Sequence, residues 1–227
     1  MKKVLCTGGT GFVGHWMRET MPSGVGCRFL DSKGYDCFWD VWQEETWDYI
    51  IHLAPVSPRK VIELAKRNHA RLLYCSSGIV YHRENNTEYR QNKITGEALC
   101  YLGGIDTVTA RLFTFYGEHL DEHKAYTQFT KAARQNSPIE IWGDGKTVRS
   151  YMHGYELGRY MWAILLRGAS GEAYDVGSDE PMTMLDLAER IKAKYQSQSE
   201  IITKNGKDPM PYYMPPNMEK TRRLLKI

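Results

Sequence analysis

An α/β fold, an open doubly wound parallel sheet followed by a smaller C-terminal α/β domain, is predicted by three observations. A short apolar run, Val4-Leu5-Cys6, leads straight into a glycine-rich stretch, residues 7–14. Beyond it, apolar runs of strand length alternate with stretches of helical periodicity as far as Gly117, the pattern of successive βαβ units. From about Glu118 the texture changes to shorter strands and helices, which divides the chain into a sheet domain, residues 1–117, and a smaller domain, residues 118–227.

The elements follow in order. Residues 3–6 make a short buried strand. Phe12, Val13, Trp16, Met17, Thr20 and Met21 recur at helical spacing, and Pro22-Ser23-Gly24 ends that helix. Residues 26–30 are a second strand, closing on Asp31, and residues 35–39 a third, with Asp40-Val41 at its end. Residues 47–55 form a fourth, nearly all apolar, as a strand covered on both faces should be. Val61, Ile62, Leu64 and Ala65 mark a short helix between Pro58 and His69. Residues 71–75 are a fifth strand running into Ser76-Ser77-Gly78, residues 87–102 are helical, and residues 105–113 are a sixth strand.

In the later half a helix over 126–135 leads to a strand at 139–142 and the turn Gly143-Asp144-Gly145. A helix at 155–166, a strand at 173–176 that returns to the main sheet, and a helix at 183–195 complete it. The tail, residues 202–227, carries several prolines and a basic end, and reads as a solvated helix.

Composition narrows the function. A chain of 227 residues with 42% hydrophobic and 25% charged residues is ordinary for a soluble enzyme. The net charge of +3 is small and unclustered, which gives no reason to expect nucleic acid or a membrane surface as partner. Lys2-Lys3 resembles the start of a signal peptide, but the apolar run behind it breaks at Thr7-Gly8, too early for a targeting core. Cys6, Cys27, Cys37, Cys75 and Cys100 show no C-x-x-C spacing. They are expected as free, mostly buried thiols rather than metal ligands, in keeping with a reducing cytoplasm. No metal is expected.

The glycines can be framed twice. Gly9, Gly11 and Gly14 make G-x-G-x-x-G, whereas Gly8, Gly11 and Gly14 make G-x-x-G-x-x-G. Either frame lets a pyrophosphate approach backbone N–H groups at a helix N-terminus. Asp31 lies about 20 residues further on, where a carboxylate binds the adenosine ribose of NAD. Arg28 and Lys33 nearby suit the 2′-phosphate of NADP instead; NAD is the preferred reading.

Tyr89 and Lys93 form Y-x-x-x-K on the helix over 87–102, stacked one turn apart. A cation there stabilises a phenolate, which a tyrosine needs in order to act as a general base. The same pair can hold the nicotinamide ribose. Ser77, past the end of the fifth strand, can hydrogen-bond the substrate oxygen that Tyr89 deprotonates.

Together these stretches resemble the extended short-chain dehydrogenase/reductases, the nucleotide-sugar epimerase/dehydratase family. The matching residues are 7–14, 48–54, 76–81, Tyr89 to Lys93 with Gly96-Glu97, 111–117, 138–145 with Arg149, and 174–178. The resemblance implies a Rossmann-type sheet, NAD as cofactor, and Ser77, Tyr89 and Lys93 as catalytic residues. It implies that Gly8, Gly11, Phe12 and Val13 cradle the pyrophosphate, Asp31 the ribose, and Asp40 and Val41 the adenine. Leu53 and Ala54 would line the middle of the cofactor and Phe113 its nicotinamide, while Ser77, Thr114 and Arg149 would contact a nucleotide-diphosphate sugar. A homodimer is the assembly it suggests.

This chain departs from the family in being short, mainly after the second and fourth strands, and in carrying Thr114 in place of asparagine. His153-Gly154-Tyr155-Glu156 stands where aspartates are usual. These departures bear on sugar specificity and on the dimer interface. Gly78 and Ile79 occupy the places where related 4,6-dehydratases carry an acidic pair, so dehydration is not expected. What remains is a 4-epimerase acting through a transient 4-keto sugar, with an NAD(P)H-dependent 4-ketoreductase and a non-catalytic dinucleotide sensor or scaffold as alternatives.

Overall fold

Strands buried on both faces must present apolar side chains alternately to two helical layers, and the first half of the chain does so. The computed structural model describes residues 1–31, 45–206 and 212–225. Its main sheet is built from β1 (Lys2–Thr7), β2 (Val25–Leu30), β3 (Tyr49–His52), β4 (Arg71–Ser77), β5 (Thr107–Leu112) and β10 (Ala173–Val176). Among the described residues the strand order is β10-β5-β4-β3-β1-β2, all parallel.

Val4 and Cys6 face one layer, with Ile51, Leu73, Val108 and Ala110, against Met17, Leu157, Met161 and Leu165. These last residues come from α1 (Phe12–Glu19) and from a helix in the later half, Gly154–Arg167, here α5. Leu5, Ile50 and Leu72 face the other layer, against Val61, Leu64 and Ala65 of α2 (Arg59–Asn68) and Cys100 of α3 (Glu88–Leu102). The period-2 alternation of strand side chains is what allows one sheet to serve two helical layers.

Residues 118–227 are shared between two cores. α5 and β10 complete the main sheet and its cover. A second core of Phe129, Ala133, Ile139, Ile141, Leu187 and Ile191 joins α4 (Ala125–Arg134) and α6 (Met184–Lys194) to the parallel pair β7 (Ile139–Trp142) and β12 (Ile201–Lys204). Two smaller sheets complete the described structure: β6 (Phe115–Tyr116) with β9 (Met152–His153), and β8 (Val148–Ser150) between β11 (Pro181–Thr183) and β13 (Tyr212–Tyr213).

The tail differs from the solvated helix expected of it. Residues 201–204 are β12, 212–213 are β13, and among the described residues of the tail helix is found over Glu219–Arg223. Tertiary bonds override the local pattern there. The fully buried Thr221 hydroxyl donates to Asp175 O at 2.7 Å, and Lys220 Nζ bonds Glu172 and Ala173 O. Cys6, Cys75 and Cys100 are buried free thiols and Cys27 is half-buried; burial pushes the thiols of Cys6, Cys75 and Cys100 up. The strand expected at 35–39, Asp40, Val41 and Cys37 lie outside the described residues.

Met161 is fully buried between α5 and the sheet. Met161→Ala should lower unfolding stability by about 2–5 kcal/mol, the range for truncating a large core side chain, measured as a shift of the urea midpoint at constant slope.

Candidate active site

The chain leaves β1 toward β2 on one side and β3 on the other, so the crevice at the carboxyl ends of β1 and β3 is the topological switch point where open α/β sheets bind ligands. Gly8 turns the chain here with φ +73°. A Cβ on it would lie 2.7 Å from the backbone N of Ala54, so only glycine allows this approach. Beneath the turn the buried Thr7 hydroxyl meets His52 Nδ1 at 2.8 Å, and His52 Nε2 lies 3.0 Å from Val56 O. That arrangement suits a neutral imidazole that accepts from Thr7 and donates to Val56. Burial holds the His52 pKa down to about 4.

Gly11 is the N-cap of α1 and supplies no side-chain cap. A Cβ there would meet nothing nearer than Gly8 O at 3.5 Å, so the space over the helix N-terminus is open. Uncapped N–H groups with room for a bulky anion fit a pyrophosphate. Phe12 stacks on Phe115 at 4.8 Å, which anchors the start of the helix. Asp31 follows β2 directly, beside the glycine turn, through Gly9 N–H bonded to Leu30 O.

β4 ends at Ser77, whose oxygen accepts the Ile79 N–H at 3.3 Å and caps a 3-10 turn, Gly78–Tyr81. Gly78 packs so closely on Phe113 that a Cβ would fall 2.4 Å from its ring. α3 starts one loop later, where Thr87 accepts the Arg90 N–H. Tyr89 lies in its first turn, 52% exposed. Lys93 follows one turn on; its ammonium donates to Cys75 O at 2.8 Å and lies 5.7 Å from the Tyr89 ring centre.

A cavity of about 450 Å³ brings Val13, Leu53, Ser77, Tyr89, Lys93, Phe113 and Thr114 together. Thr114, Phe115, Leu120 and Lys124 also line a neighbouring cavity of about 240 Å³ that contains Arg149. Through Ala125 and Met184 this second cavity adjoins a third, of about 590 Å³, which reaches Trp142, 72% exposed. Gly8, Gly11, Phe12, Asp31 and Ala54 surround the glycine turn rather than the cavity wall. Asp40 and Val41 are not among the described residues. Among the wall residues not singled out in the sequence are Leu120, Lys124 and Tyr213. The first two lie where periodicity says little, and Tyr213 lies in the tail, far from every motif.

Behind the cavity Arg111 grips both oxygens of Glu97, at 2.9 and 2.6 Å, and Ser76 Oγ donates to the same carboxylate at 2.5 Å. Arg111 also donates to the Tyr81 hydroxyl at 2.6 Å, and Tyr81 to Asp175 at 3.0 Å. Burial pushes the Asp175 carboxyl up, against its bond from Tyr81 and the charge of Arg111.

The family model described as NAD dependent epimerase/dehydratase matches residues 38–177, more than half of the chain. The chain belongs to this family. UDP-glucuronic acid decarboxylase 1 of Danio rerio is 24% identical over 99% of the chain and 68% of its own length. The Arabidopsis thaliana protein of the same name is 26% identical over 73% of the chain and 43% of its own length. The chain thus spans about two-thirds of the first relative and less than half of the second. An alignment of 287 positions to a chain of 227 also means that segments of the Danio rerio protein have no counterpart here. Among solved structures, dTDP-glucose 4,6-dehydratase from Bacillus anthracis in complex with NAD superposes with a TM-score of 0.85 at 18% identity, covering 100% of this chain and 91% of that one. UDP-glucuronic acid 4-epimerase from Bacillus cereus, in complex with UDP-glucuronic acid and NAD, gives 0.82 at 18%, covering 99% and 93%. At that identity the likeness shows a shared fold. Among the described residues, no group of three histidine, cysteine or acidic side chains is placed to hold a metal, and no helix is long and apolar enough to cross a membrane.

Two predictions follow from this geometry. Gly11→Val should leave folding within about 1 kcal/mol, the scale of a changed N-cap, but weaken NAD binding about tenfold or more by filling the space over the helix end; titration calorimetry reads the affinity. His52 is neutral in the fold near pH 5, whereas the unfolded histidine, near its ordinary value of 6.5, is protonated. The unfolded chain therefore binds the extra proton, and stability should fall as pH drops from 6.5 to 4, by up to about 3 kcal/mol. Urea midpoints across that range should show a steeper pH dependence in the wild type than in His52→Gln.

Proposed function

We propose that this chain is an NAD-dependent nucleotide-sugar 4-epimerase that works through a transient 4-keto sugar. The observation that carries the proposal is the single cavity of about 450 Å³ walled by Ser77, Tyr89 and Lys93, with Val13 and Leu53 on the side of the glycine turn and Phe113 on the side of Tyr213. Bound NAD would supply a hydride acceptor at C4 of the hexose and return the hydride to the opposite face. Tyr89 takes the proton of the C4 hydroxyl, and the Lys93 ammonium, held by Cys75 O, stabilises the phenolate. Ser77 donates a hydrogen bond to the same sugar oxygen. On return of the hydride Tyr89 gives its proton back, so the chain needs no further acid or base. Gly78 and Ile79, the next residues along the turn, carry no proton-transferring group, which argues against elimination of water. Phe12, Val13, Gly8 and Gly11 would hold the pyrophosphate of the cofactor at the end of α1, and Asp31 its adenosine ribose.

The linked cavities support a nucleotide-diphosphate substrate. Lys124 and Arg149 flank the middle cavity, and Lys124 is the N-cap of α4, which lacks a side-chain cap. Two cations and an uncapped helix N-terminus suit a diphosphate, with Arg149 able to grip two of its oxygens. Thr114 lies where the sugar and diphosphate cavities meet. Trp142 offers an aromatic face for a base at the far end.

The test is incubation of the purified chain with NAD and a panel of UDP- and dTDP-hexoses that includes UDP-glucuronic acid. Interconversion of 4-epimers without net NADH is the expected outcome, and Tyr89→Phe should lower kcat/KM by about 10²–10⁴-fold, the usual worth of a general base. Consumption of NADH with a 4-keto sugar would reassign the chain as a ketoreductase, and release of carbon dioxide as a decarboxylase. Dinucleotide binding without turnover on the whole panel would leave the sensor reading.

A further inference from the structure

Tyr213 reaches the site from the C-terminal tail. β13 runs parallel to β8, with Tyr213 opposite Arg149, and this pairing delivers its side chain to the end of β4. The ring packs on Phe113 at 5.0 Å and His82 at 5.3 Å and is 9% exposed. Its hydroxyl lies 3.2 Å from Ser77 Oγ and 3.4 Å from Leu112 O. Burial pushes the phenol up to about 12, so it stays a neutral hydroxyl at neutral pH.

We infer that Tyr213 is a positioning residue that makes Ser77 a hydrogen-bond donor into the cavity; the inference rests on Ser77 binding the substrate oxygen, as proposed above. A serine hydroxyl has one proton and two lone pairs. One lone pair of Ser77 takes the Ile79 N–H. When Tyr213 donates into the second, both acceptor sites are filled, and the Ser77 proton is left to point at the cavity shared with Tyr89. When Tyr213 turns its proton to Leu112 O instead, Ser77 donates to Tyr213 and presents no proton to a ligand. At 3.4 Å the bond to Leu112 O is the weaker of the two, so a sugar oxygen that accepts from Ser77 draws the Tyr213 proton onto Ser77. Donation by Tyr213 also polarises the Ser77 O–H and strengthens its bond to the substrate. Tyr213 touches neither reacting atoms nor cofactor in this scheme; it acts through Ser77.

The test is a double-mutant cycle of Tyr213→Phe and Ser77→Ala in the full chain, run on the 4-epimer interconversion. Tyr213→Phe keeps the ring packed on Phe113 and removes only the hydroxyl. It should lower kcat three- to tenfold, with KM for the nucleotide sugar, NAD affinity and the thermal midpoint little changed. In the Ser77→Ala background it should have no further effect on kcat. An equal loss in both backgrounds, or no loss in either, overturns the inference and leaves the role of Ser77 standing. Full activity in Ser77→Ala alone overturns the proposed role of Ser77 instead. A panel without turnover removes the proposed function and this inference with it.

Discussion

The crevice at the switch point exists because Gly8 and Ala54 meet backbone to backbone. Parallel strands β1 and β3 would otherwise keep their following loops apart by at least one side chain, and a Cβ at Gly8 has no room beside Ala54. The approach is braced from below by the Thr7–His52 bond, which ties the last residues of β1 and β3, an aligned pair in the ladder. His52 in turn bonds Val56 O and so fixes the start of the loop that carries Leu53 and Ala54. Everything placed relative to the glycine turn, from the end of α1 to the cavity shared by Val13 and Leu53, depends on this contact. An imidazole buried at that point must remain neutral, and the dry core that forbids its charge also keeps its two hydrogen bonds strong.

The main sheet was legible because its signals are local and repeated. The run Leu72-Leu73-Tyr74-Cys75 lies in β4, buried as expected, and the helical spacing of Val61, Ile62, Leu64 and Ala65 matches the face that α2 buries. The placement of α5 was not legible. Its apolar face says only that it packs on something, and the choice of the main sheet is made by Leu157, Met161 and Leu165 joining Leu73 of β4 and Val108 of β5 in one core, partners from the first half of the chain. The tail was misread for a similar reason. Lys220 to Arg223 look like a solvated basic helix, yet Thr221 and Lys220 are fastened to β10, and such long-range partners leave no periodicity behind.

The same distinction divides the candidate site. Ser77, Tyr89, Lys93, Leu53 and Phe113 follow strand ends or sit at helical spacing, so their convergence could be read along the chain. Lys124, Leu120 and Tyr213 join them only because the smaller elements fold over the carboxyl edge of the sheet. Tyr213 is the extreme case: 136 positions separate it from Ser77, and its place depends on a two-residue strand pairing with β8. A short pairing of that kind has no sequence signature. Any account of specificity drawn from motifs alone would therefore describe one wall of the cavity and miss the wall facing it.

Adjacent residues at the end of β4 show how the two walls are kept in register. Side chains alternate across a strand, so Ser76 and Ser77 point to opposite faces. Ser76 is bound to Glu97 of α3, the carboxylate that Arg111 of β5 grips with two nitrogens, and Tyr81 carries the network to Asp175 of β10. Removing one member would leave a partly buried charge without its partner, which costs far more than the intact pair contributes. The network therefore does little as a source of net stability, but it permits one arrangement of β4, α3, β5 and β10 and penalises others. With Ser76 fixed on that side, the backbone leaves Ser77 one direction, toward Tyr213 and the cavity. Lys93, bonded to Cys75 O on the same strand, fixes the helix that carries Tyr89 to the same three-residue segment. The spacing between the serine and the tyrosine is thus set by Cys75, Ser76 and Ser77 together, and a change in the network behind the cavity would be felt at Ser77 before it was felt in the fold.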